Sequence, residues 1–383
     1  MKKIKLIIGF FLFMSLLSVK YITSSTQEKH YSVDELRKLY SSTDISKYPK
    51  AEIDSTVINF QELGVLPPVA FPDDNPFSEA KRELGKILFF DPRLSSSGQI
   101  SCASCHDPDL GWGDGKRVSH GHNREPGKRN AKTIINSAYA TSLFWDGRAS
   151  SLEDQAKFPI KDEKEMNHDL KKAEKRIRKI KGYKPLFKAA YGDEKVTLTR
   201  ITKAIATFER TVVSRKSRFD KFIEGDSTQL SDKEVLGLHL FRTKARCINC
   251  HNSPYFSDNQ FHNLGLTYYK RKFEDLGLYN ITHNSEDVGK FRTPSLREVG
   301  KTEPYMHNGL FPHLHGVLNM YNAGMPKNLP KTNEQKSDKL YPVTSPLLKK
   351  LNLSKDELVA LESFLESITS VIYREPAPEK LPE

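Results

Sequence analysis

The chain contains the pattern Cys-x-x-Cys-His twice, and this repetition restricts its folds more than any other feature of the sequence. The first copy runs from Cys102 to His106 and the second from Cys247 to His251. Two thiols one helical turn apart can bond both vinyl groups of a haem, while the adjacent imidazole reaches the iron. The pattern therefore predicts two covalently attached c-type haems, with His106 and His251 as proximal iron ligands.

Zinc binding and two small disulfides are the alternative uses of these cysteines. The two motifs contain all four cysteines of the 383-residue chain, as the pairs Cys102 with Cys105 and Cys247 with Cys250. The interval between the pairs is far longer than in a zinc ribbon, and a histidine directly follows each pair. Haem attachment is the interpretation that uses every residue of the pattern.

Residues 1–25 predict export. Three lysines among the first five residues precede a mostly apolar run from Leu6 to about Val19, which is the arrangement of a secretory signal. Lys20 and Tyr21 interrupt the region where cleavage is expected, so a retained membrane anchor is the alternative. Either arrangement places the body of the chain in the periplasm, which agrees with haem attachment.

The chain is basic, with a formal net charge of +12 at pH 7. In an exported protein, such a surface favours an acidic docking partner or an anionic membrane surface over nucleic acid. Solubility alone is the alternative explanation. We therefore expect no nucleic-acid partner.

Helical patterns dominate the rest of the sequence. The segments before the two motifs share a local repeat, Leu84-Gly85-x-x-Leu88-Phe89 and Leu236-Gly237-x-x-Leu240-Phe241. Capping boxes at Ser231-x-x-Glu234 and Ser354-x-x-Glu357 predict helix starts. Alternating strand patterns are scarce, so we predict a mainly α fold of two cytochrome c-like domains, each with one covalently bound haem c.

The domain boundary is expected within residues 218–230, which contain Gly, Asp, Ser and Thr in sequence. Each side of this boundary then has one cysteine motif. The predicted division is a signal peptide or anchor at 1–25, a polar arm or linker at 26–74, an N-terminal domain at 75–222, a C-terminal domain at 223–372 and a polar tail at 373–383.

Five further segments carry a family resemblance through their order along the chain. They are Phe89 to Ser95, Ser101 to His106, Phe144 to Arg148, Phe291 to Arg297 and Pro304 to Gly309. From about residue 75 to 372, the chain resembles the bacterial dihaem cytochrome c peroxidases, including the MauG-like branch of methylamine utilisation. The resemblance implies that His106 holds the peroxidatic haem and His251 the electron-transfer haem.

The resemblance also implies three residues of the reaction site. Aligned on Trp145, the family's distal glutamine and glutamate fall on Gln155 and Glu165. Glu165 would move a proton between the two peroxide oxygens, Gln155 would orient the peroxide, and Trp145 would relay electrons between the haems. Without the family, Glu165 is an ordinary solvated carboxylate in a charged run, and Trp145 is a core residue.

A calcium ion lies between the haems in this family. Its side-chain amide and two backbone carbonyl ligands match Asn130, Thr302 and Pro304. Oxygen ligands of this kind suit calcium, although three ligands require additional waters.

Two distal iron ligands follow from the same alignment. A loop histidine that caps the resting peroxidatic iron matches His122, with His120 as a nearby substitute and solvated loop histidines as the alternative. The distal ligand of the second haem falls on Tyr321, the MauG-like residue, where typical peroxidases have methionine. Met320 and Met325 compete if the alignment shifts. A tyrosinate favours ferric iron, whereas His122 implies activation by an easily reduced second haem, so the two predictions conflict.

The resemblance implies a peroxidase that reduces hydrogen peroxide with electrons from a small c-type cytochrome or copper protein. The alternative is a MauG-like enzyme that uses peroxide to oxidise residues of a partner protein. A non-catalytic dihaem electron carrier is a third hypothesis, but it gives Glu165 and Gln155 no role. Since the relatives are often dimers, a homodimer is a further expectation.

Overall fold

The computed structural model describes residues 30–371 and 374–383. The predicted signal peptide or anchor at residues 1–25 lies outside these ranges. Val33–Glu383 forms one compact unit, and the division of this unit at residue 222 stays a prediction. None of the helices in the described ranges has the length and apolar character needed to span a bilayer.

The fold is mainly α, as predicted. In chain order, the α-helices of the described residues are α1 Val33–Tyr40, α2 Glu79–Phe90, α3 Leu152–Gln155, α4 Lys157–Lys161, α5 Leu170–Lys179, α6 Tyr183–Tyr191, α7 Leu198–Thr211, α8 Arg218–Ile223, α9 Asp232–Arg242, α10 Tyr279–Thr282, α11 Leu314–Asn322, α12 Asn333–Ser337 and α13 Lys355–Ser367. Two short antiparallel strands, β1 Phe261–His262 and β2 Phe291–Arg292, pair with each other. The capping boxes at Ser231 and Ser354 are both formed.

Two helix pairs repeat the same packing, one beside each cysteine motif. Helix α2 packs against α7, and α9 packs against α13. The glycine of each sequence repeat lies at the closest approach: a Cβ at Gly85 would overlap the carbonyl of Ala204, and one at Gly237 would overlap that of Ala360. The glycine of the Leu-Gly-x-x-Leu-Phe repeat therefore marks the contact between the paired helices, where the backbones leave no room for a side chain.

We expect Gly237→Ala to lower the free energy of unfolding by about 1–3 kcal/mol, because the added methyl group overpacks the contact with Ala360. Gly316→Ala is the matched control. Gly316 lies in α11, and a Cβ there meets no atom within 4 Å. That substitution should raise the stability by about 0.5–1 kcal/mol through helix propensity. Denaturant unfolding of both variants measures the difference, and equal effects would contradict the close-packing explanation.

Each terminal segment packs onto the helical body. The predicted arm includes α1, which sequence patterns did not indicate and which packs against α9. Beyond α1, the side chain of Asn249 in the second motif accepts from Asp54 N at 2.7 Å and donates to Glu52 O at 3.0 Å. At the other end, Glu375 pairs with Arg82 at 2.7 Å. The arm therefore holds the second motif, and residues 374–383 are not a free tail.

Candidate functional site

The two motif histidines have the same hydrogen-bonded geometry. Nδ1 of His106 lies 3.1 Å from the carbonyl oxygen of Trp112, and Nδ1 of His251 lies 3.1 Å from that of Phe256. Both acceptor residues have left-handed backbones, with φ of 58° and 56°. A carbonyl at Nδ1 holds the proton there and leaves the Nε2 lone pair available to a metal. Both imidazoles therefore have the orientation that a proximal iron ligand requires, and iron ligation stays a prediction.

The cysteines beside these histidines are available for covalent attachment. Each motif forms a short 3-10 turn, in which the amide of the histidine donates to the carbonyl of the first cysteine, at 3.0 Å for His106 and 2.9 Å for His251. All four thiols are half-buried and free of disulfides. Burial raises the pKa of Cys247 to about 12, so this group is a neutral thiol at physiological pH.

Both motifs line a single cavity of about 1120 Å³. Pockets for one small ligand usually measure about 300–1,000 Å³, so this cavity exceeds that range. Cysteine, histidine and buried donor atoms surround an otherwise largely apolar interior. The residues therefore fit two haem groups, for which Cys102, Cys105 and His106 form one attachment site and Cys247, Cys250 and His251 the other.

One cluster in the described residues has the composition of a metal site. Ligand atoms of Cys250, Asp258 and His262 lie within 4.8 Å of one another. Although burial opposes the shift, the hydrogen bond to Asp258 raises the pKa of His262 to about 10. A cysteine alkylated by a haem vinyl group cannot supply a thiolate, so metal binding by this trio and haem attachment exclude each other. The His262–Asp258 ion pair accounts for the cluster.

Glu165 lines the cavity together with Asp162 and Lys164, but it is less exposed than they are. Lys161, Asp162, Glu163 and Lys164 are exposed, whereas Glu165 is half-buried. Burial, together with the nearby carboxylate of Asp162, raises the pKa of Glu165 to about 6. The side chain of Glu165 is therefore only partly solvated, and its catalytic role stays a prediction. A carboxyl group with this pKa can accept and return a proton near neutral pH.

Gln155 lines the same cavity as Glu165. Gln155 ends α3, which begins at the Ser151 N-cap, and α4 follows almost directly. This pair of short helices places one amide and one carboxyl group on the wall of a common space. Their relation to a bound peroxide stays a prediction.

The loop that contains His122 contacts the Glu165 segment through its backbone. His122 N donates to Glu165 O at 2.8 Å, and a Cβ at Gly121 would overlap the carbonyl of Lys164. The imidazole Nδ1 of His122 lies 3.5 Å from Ser96 Oγ, and neither His122 nor His120 lines the cavity. The structure thus brings the His122 loop beside Glu165 but does not bring the ring of His122 into the cavity.

Trp145 lines the cavity, whereas Trp112 is fully buried in the core. The indole Nε1 of Trp145 donates to Asn130 O at 3.0 Å, and the backbone carbonyl of Trp145 accepts from Arg292 N at 2.8 Å. Lys132 Nζ lies 3.9 Å from the centroid of the Trp145 ring. Trp145 is therefore held through its indole N–H and its backbone carbonyl, and its ring faces the side chain of Lys132.

The three predicted calcium ligands, Asn130, Thr302 and Pro304, all line the cavity. The side-chain amide nitrogen of Asn130 donates to Lys116 O at 3.0 Å, which points its amide oxygen away from that contact. The three residues therefore face one common cavity. Calcium binding itself stays a prediction.

Tyr321 in α11 lines the cavity, whereas Met320 and Met325 do not. Burial raises the pKa of the Tyr321 phenol, and the thiols of Cys250 and Cys247 raise it further. The phenol is therefore close to the second motif. Of the three candidate distal ligands, Tyr321 is the one that lines the cavity, and its ligation of iron stays a prediction.

Sequence reasoning assigned no role to several ionisable groups in the cavity wall, among them Lys132, Arg292 and Glu209. Burial lowers the pKa of Lys132 well below its ordinary value and raises that of Glu209 to about 8. Glu209 lies on the core-facing side of α7, so its helical position alone predicted an apolar residue. That polar residue on the core-facing side was the available signal for Glu209. Arg292 lies in the family segment Phe291 to Arg297, whereas Lys132 had no signal in the sequence.

Comparisons with known proteins identify relatives of this chain. A family model described as di-haem cytochrome c peroxidase matches residues 79–228. Cytochrome-c peroxidase IdrP1 of Pseudomonas sp. (strain SCT) is 39% identical, with 80% of this chain and 85% of that protein covered. The methylamine utilisation protein MauG of Methylorubrum extorquens is 38% identical, with 82% and 84% covered. The crystal structure of a MauG-like protein associated with microbial copper homeostasis matches with a TM-score of 0.71, 32% identity and coverage of 83% and 96%.

Proposed function

Because the chain belongs to the di-haem cytochrome c peroxidase family, we propose that it reduces hydrogen peroxide to water with electrons from a small redox protein. The observation that carries this proposal is the single cavity shared by both cysteine motifs and Glu165, a carboxyl group with a pKa of about 6. A simple electron carrier would not require such a group beside its haem.

Each residue set has a distinct task in this proposal. His106 would hold the haem at which peroxide is reduced, and His251 the haem that receives electrons from the donor. When bound, haem iron supplies the one-electron redox steps and the Lewis acidity that cleaves the peroxide bond. The overall reaction joins one hydrogen peroxide, two electrons and two protons into two waters.

Glu165 would handle the protons of this reaction. Its carboxylate accepts the proton of one peroxide oxygen and returns it to the departing oxygen, which leaves as water. Gln155 would hold the peroxide by hydrogen bonds during that transfer. Trp145 would carry electrons across the gap between the two motifs, and Asn130, Thr302 and Pro304 would hold a calcium ion there.

The compartment and the partners are also proposed. The lysines at positions 2, 3 and 5, the apolar run after them and the need for haem attachment support export to the periplasm, with or without a retained anchor. A net charge of +12 supports an acidic cytochrome or copper protein as the donor. The two halves, 75–222 and 223–372, would each hold one haem, and a homodimer is the assembly that the family favours.

Steady-state turnover tests the proposal. Purified dihaem protein is mixed with hydrogen peroxide and a reduced c-type cytochrome or copper protein, and donor oxidation is followed optically. We expect two donor molecules to be oxidised for each peroxide consumed. Absence of turnover with both classes of donor, from protein that contains two haems per chain, would contradict the proposal.

A MauG-like oxidation of a partner protein is the second candidate, and Tyr321 favours it. A tyrosinate ligand stabilises ferric iron and makes the second haem harder to reduce by an external donor. We therefore expect Tyr321→Met to raise the rate of donor-dependent peroxide turnover, because a thioether ligand raises the reduction potential. Equal donor-dependent rates in the wild-type and Tyr321→Met proteins would remove the argument for the MauG-like candidate.

A further inference from the structure

Cationic side chains are concentrated in the cavity wall around Trp145. Arg129, Lys132 and Arg292 all line the cavity there. The carboxylates of this region are already engaged: Asp275 binds Arg129 at 2.7 Å, and Asp146 binds Arg129 at 2.5 Å and Arg148 at 3.0 Å. Arg129 is therefore neutralised, whereas Lys132 and Arg292 have no carboxylate partner among the described residues.

Lys132 has no polar partner for its ammonium group. Its Nζ is buried, makes no hydrogen bond within the described residues and lies 3.9 Å from the centroid of the Trp145 ring. A face-on aromatic contact offsets only part of the cost of removing an ammonium group from water. The opposite side of Nζ therefore has capacity for an anion.

Arg292 presents a second donor to the same region. Its side chain is 4% exposed, and its Nη1 donates to Asn259 Oδ1 at 3.0 Å, but its Nε has no partner in the described chain. Arg292 is also the charged group that acts most strongly on Lys132. Two further buried polar atoms of the cavity wall, His307 Nε2 and Asn308 Nδ2, are likewise unpartnered.

We propose that Lys132 and Arg292 form a carboxylate-binding site, and that its ligand is a propionate group of a bound haem. The proposal rests on the haem attachment assumed in the proposed function. Each haem carries two propionates, and a carboxylate placed inside a protein needs charged or hydrogen-bonding partners. A protonated Lys132 and the guanidinium Nε of Arg292, both in the wall of the cavity that Trp145 lines, would supply these partners.

This site gives Lys132 a positioning role toward both the haem and the indole. A cation near a haem stabilises the reduced state, because reduction adds an electron to the group. The same cation, over the face of Trp145, opposes removal of an electron from that ring. Lys132 would thus make the haem easier to reduce and the Trp145 ring harder to oxidise.

Spectroelectrochemical titration of the two haems, without peroxide, tests this inference. Lys132→Met keeps a straight apolar side chain over the indole but removes the charge, and Lys132→Arg keeps the charge. We expect Lys132→Met to shift the reduction equilibrium of one haem toward the oxidised state by about tenfold, or about 59 mV for one electron. Lys132→Arg should stay within about threefold of the wild-type equilibrium. Lys171→Met, at an exposed helix position, controls for the change in net charge.

A second variant keeps the test decisive if Lys132→Met does not incorporate haem. Arg292→Gln should shift the same haem in the same direction, and mass spectrometry of each variant establishes that two haems are attached. Reduction equilibria that match the wild type in Lys132→Met, or in Arg292→Gln if the former fails to load, would overturn the proposed site. Because no peroxide is present, the result is independent of whether the protein is a peroxidase.

Discussion

Replacement of Glu165 by glutamine is expected to slow peroxide reduction by about 10²–10⁴-fold, the usual contribution of a general acid–base group. Glutamine retains the shape of the side chain but cannot accept the peroxide proton. Since the folded-state pKa of Glu165 is about 6, above its ordinary value, ionisation costs stability as the pH rises through that value. The substitution should therefore not unfold the protein at neutral pH.

The pH profile of the rate provides an independent readout of Glu165. The carboxylate is the active base, so the wild-type rate should rise as the pH increases through about 6. Glu165→Gln should lose this inflection. Glu163→Gln is the matched control, because Glu163 is exposed and lies two residues away. A Glu165→Gln protein with wild-type rate and pH profile would remove Glu165 from the reaction.

The second large effect is expected at Asp220. Asp220 and Arg297 form a buried, bidentate ion pair, with both oxygens 3.0 Å from the guanidinium nitrogens and exposures of 2% and 1%. Arg297 also donates to Pro254 O at 2.7 Å, in the loop after the second motif. Asp220→Ala should lower the free energy of unfolding by about 3–5 kcal/mol, because it leaves Arg297 charged, buried and unpaired.

Denaturant unfolding of the haem-loaded protein measures this loss. Lys216→Ala is the control, because Lys216 pairs with Glu224 at the surface, where both side chains are exposed. Removal of such a pair should change the stability by about 0–1 kcal/mol. If Asp220→Ala were no more destabilising than Lys216→Ala, the buried pair would not fix the loop after the second motif.

Sequence patterns predicted helix starts well where the residues that form the cap lie within one helical turn. The capping boxes at Ser231 and Ser354 form because the hydroxyl and the carboxylate three residues later satisfy helix-end amides within one turn. The repeated glycines, Gly85 and Gly237, were visible as a pattern, but their reason was not. Each depends on a carbonyl more than 100 residues away in sequence, which only the folded chain brings into contact.

The site also has features that a short segment of sequence predicts and features that depend on the folded chain. The Cys-x-x-Cys-His motifs carry their chemistry within five residues, so sequence alone predicted both attachment sites. The carbonyl acceptor of His106, from Trp112, and that of His251, from Phe256, depend on left-handed backbones that the sequence did not indicate. Glu165 was found through the family resemblance, because its burial arises from the tertiary structure.

Lys132 shows the limit of sequence reasoning in this chain. A lysine between Ala131 and Thr133 has no local signal of burial, and its contact with Trp145 becomes visible only when the loop is folded. The sequence predicted a polar arm and a polar tail at the two ends of the chain. It did not predict their contacts with the helical body, because their polar residues bind partners distant in sequence. Buried polar contacts of this kind require the assembled structure.

The two motifs are equivalent in sequence, but we expect them to provide unequal iron sites. Spectroscopic assignment of the axial ligands in the resting and half-reduced dihaem protein tests this expectation most directly. We expect the iron held by His251 to have histidine and tyrosine as axial ligands. We expect the iron held by His106 to bind peroxide once any His122 ligand has left. Histidine–methionine ligation at the His251 haem, or two haems with identical ligand sets, would contradict it.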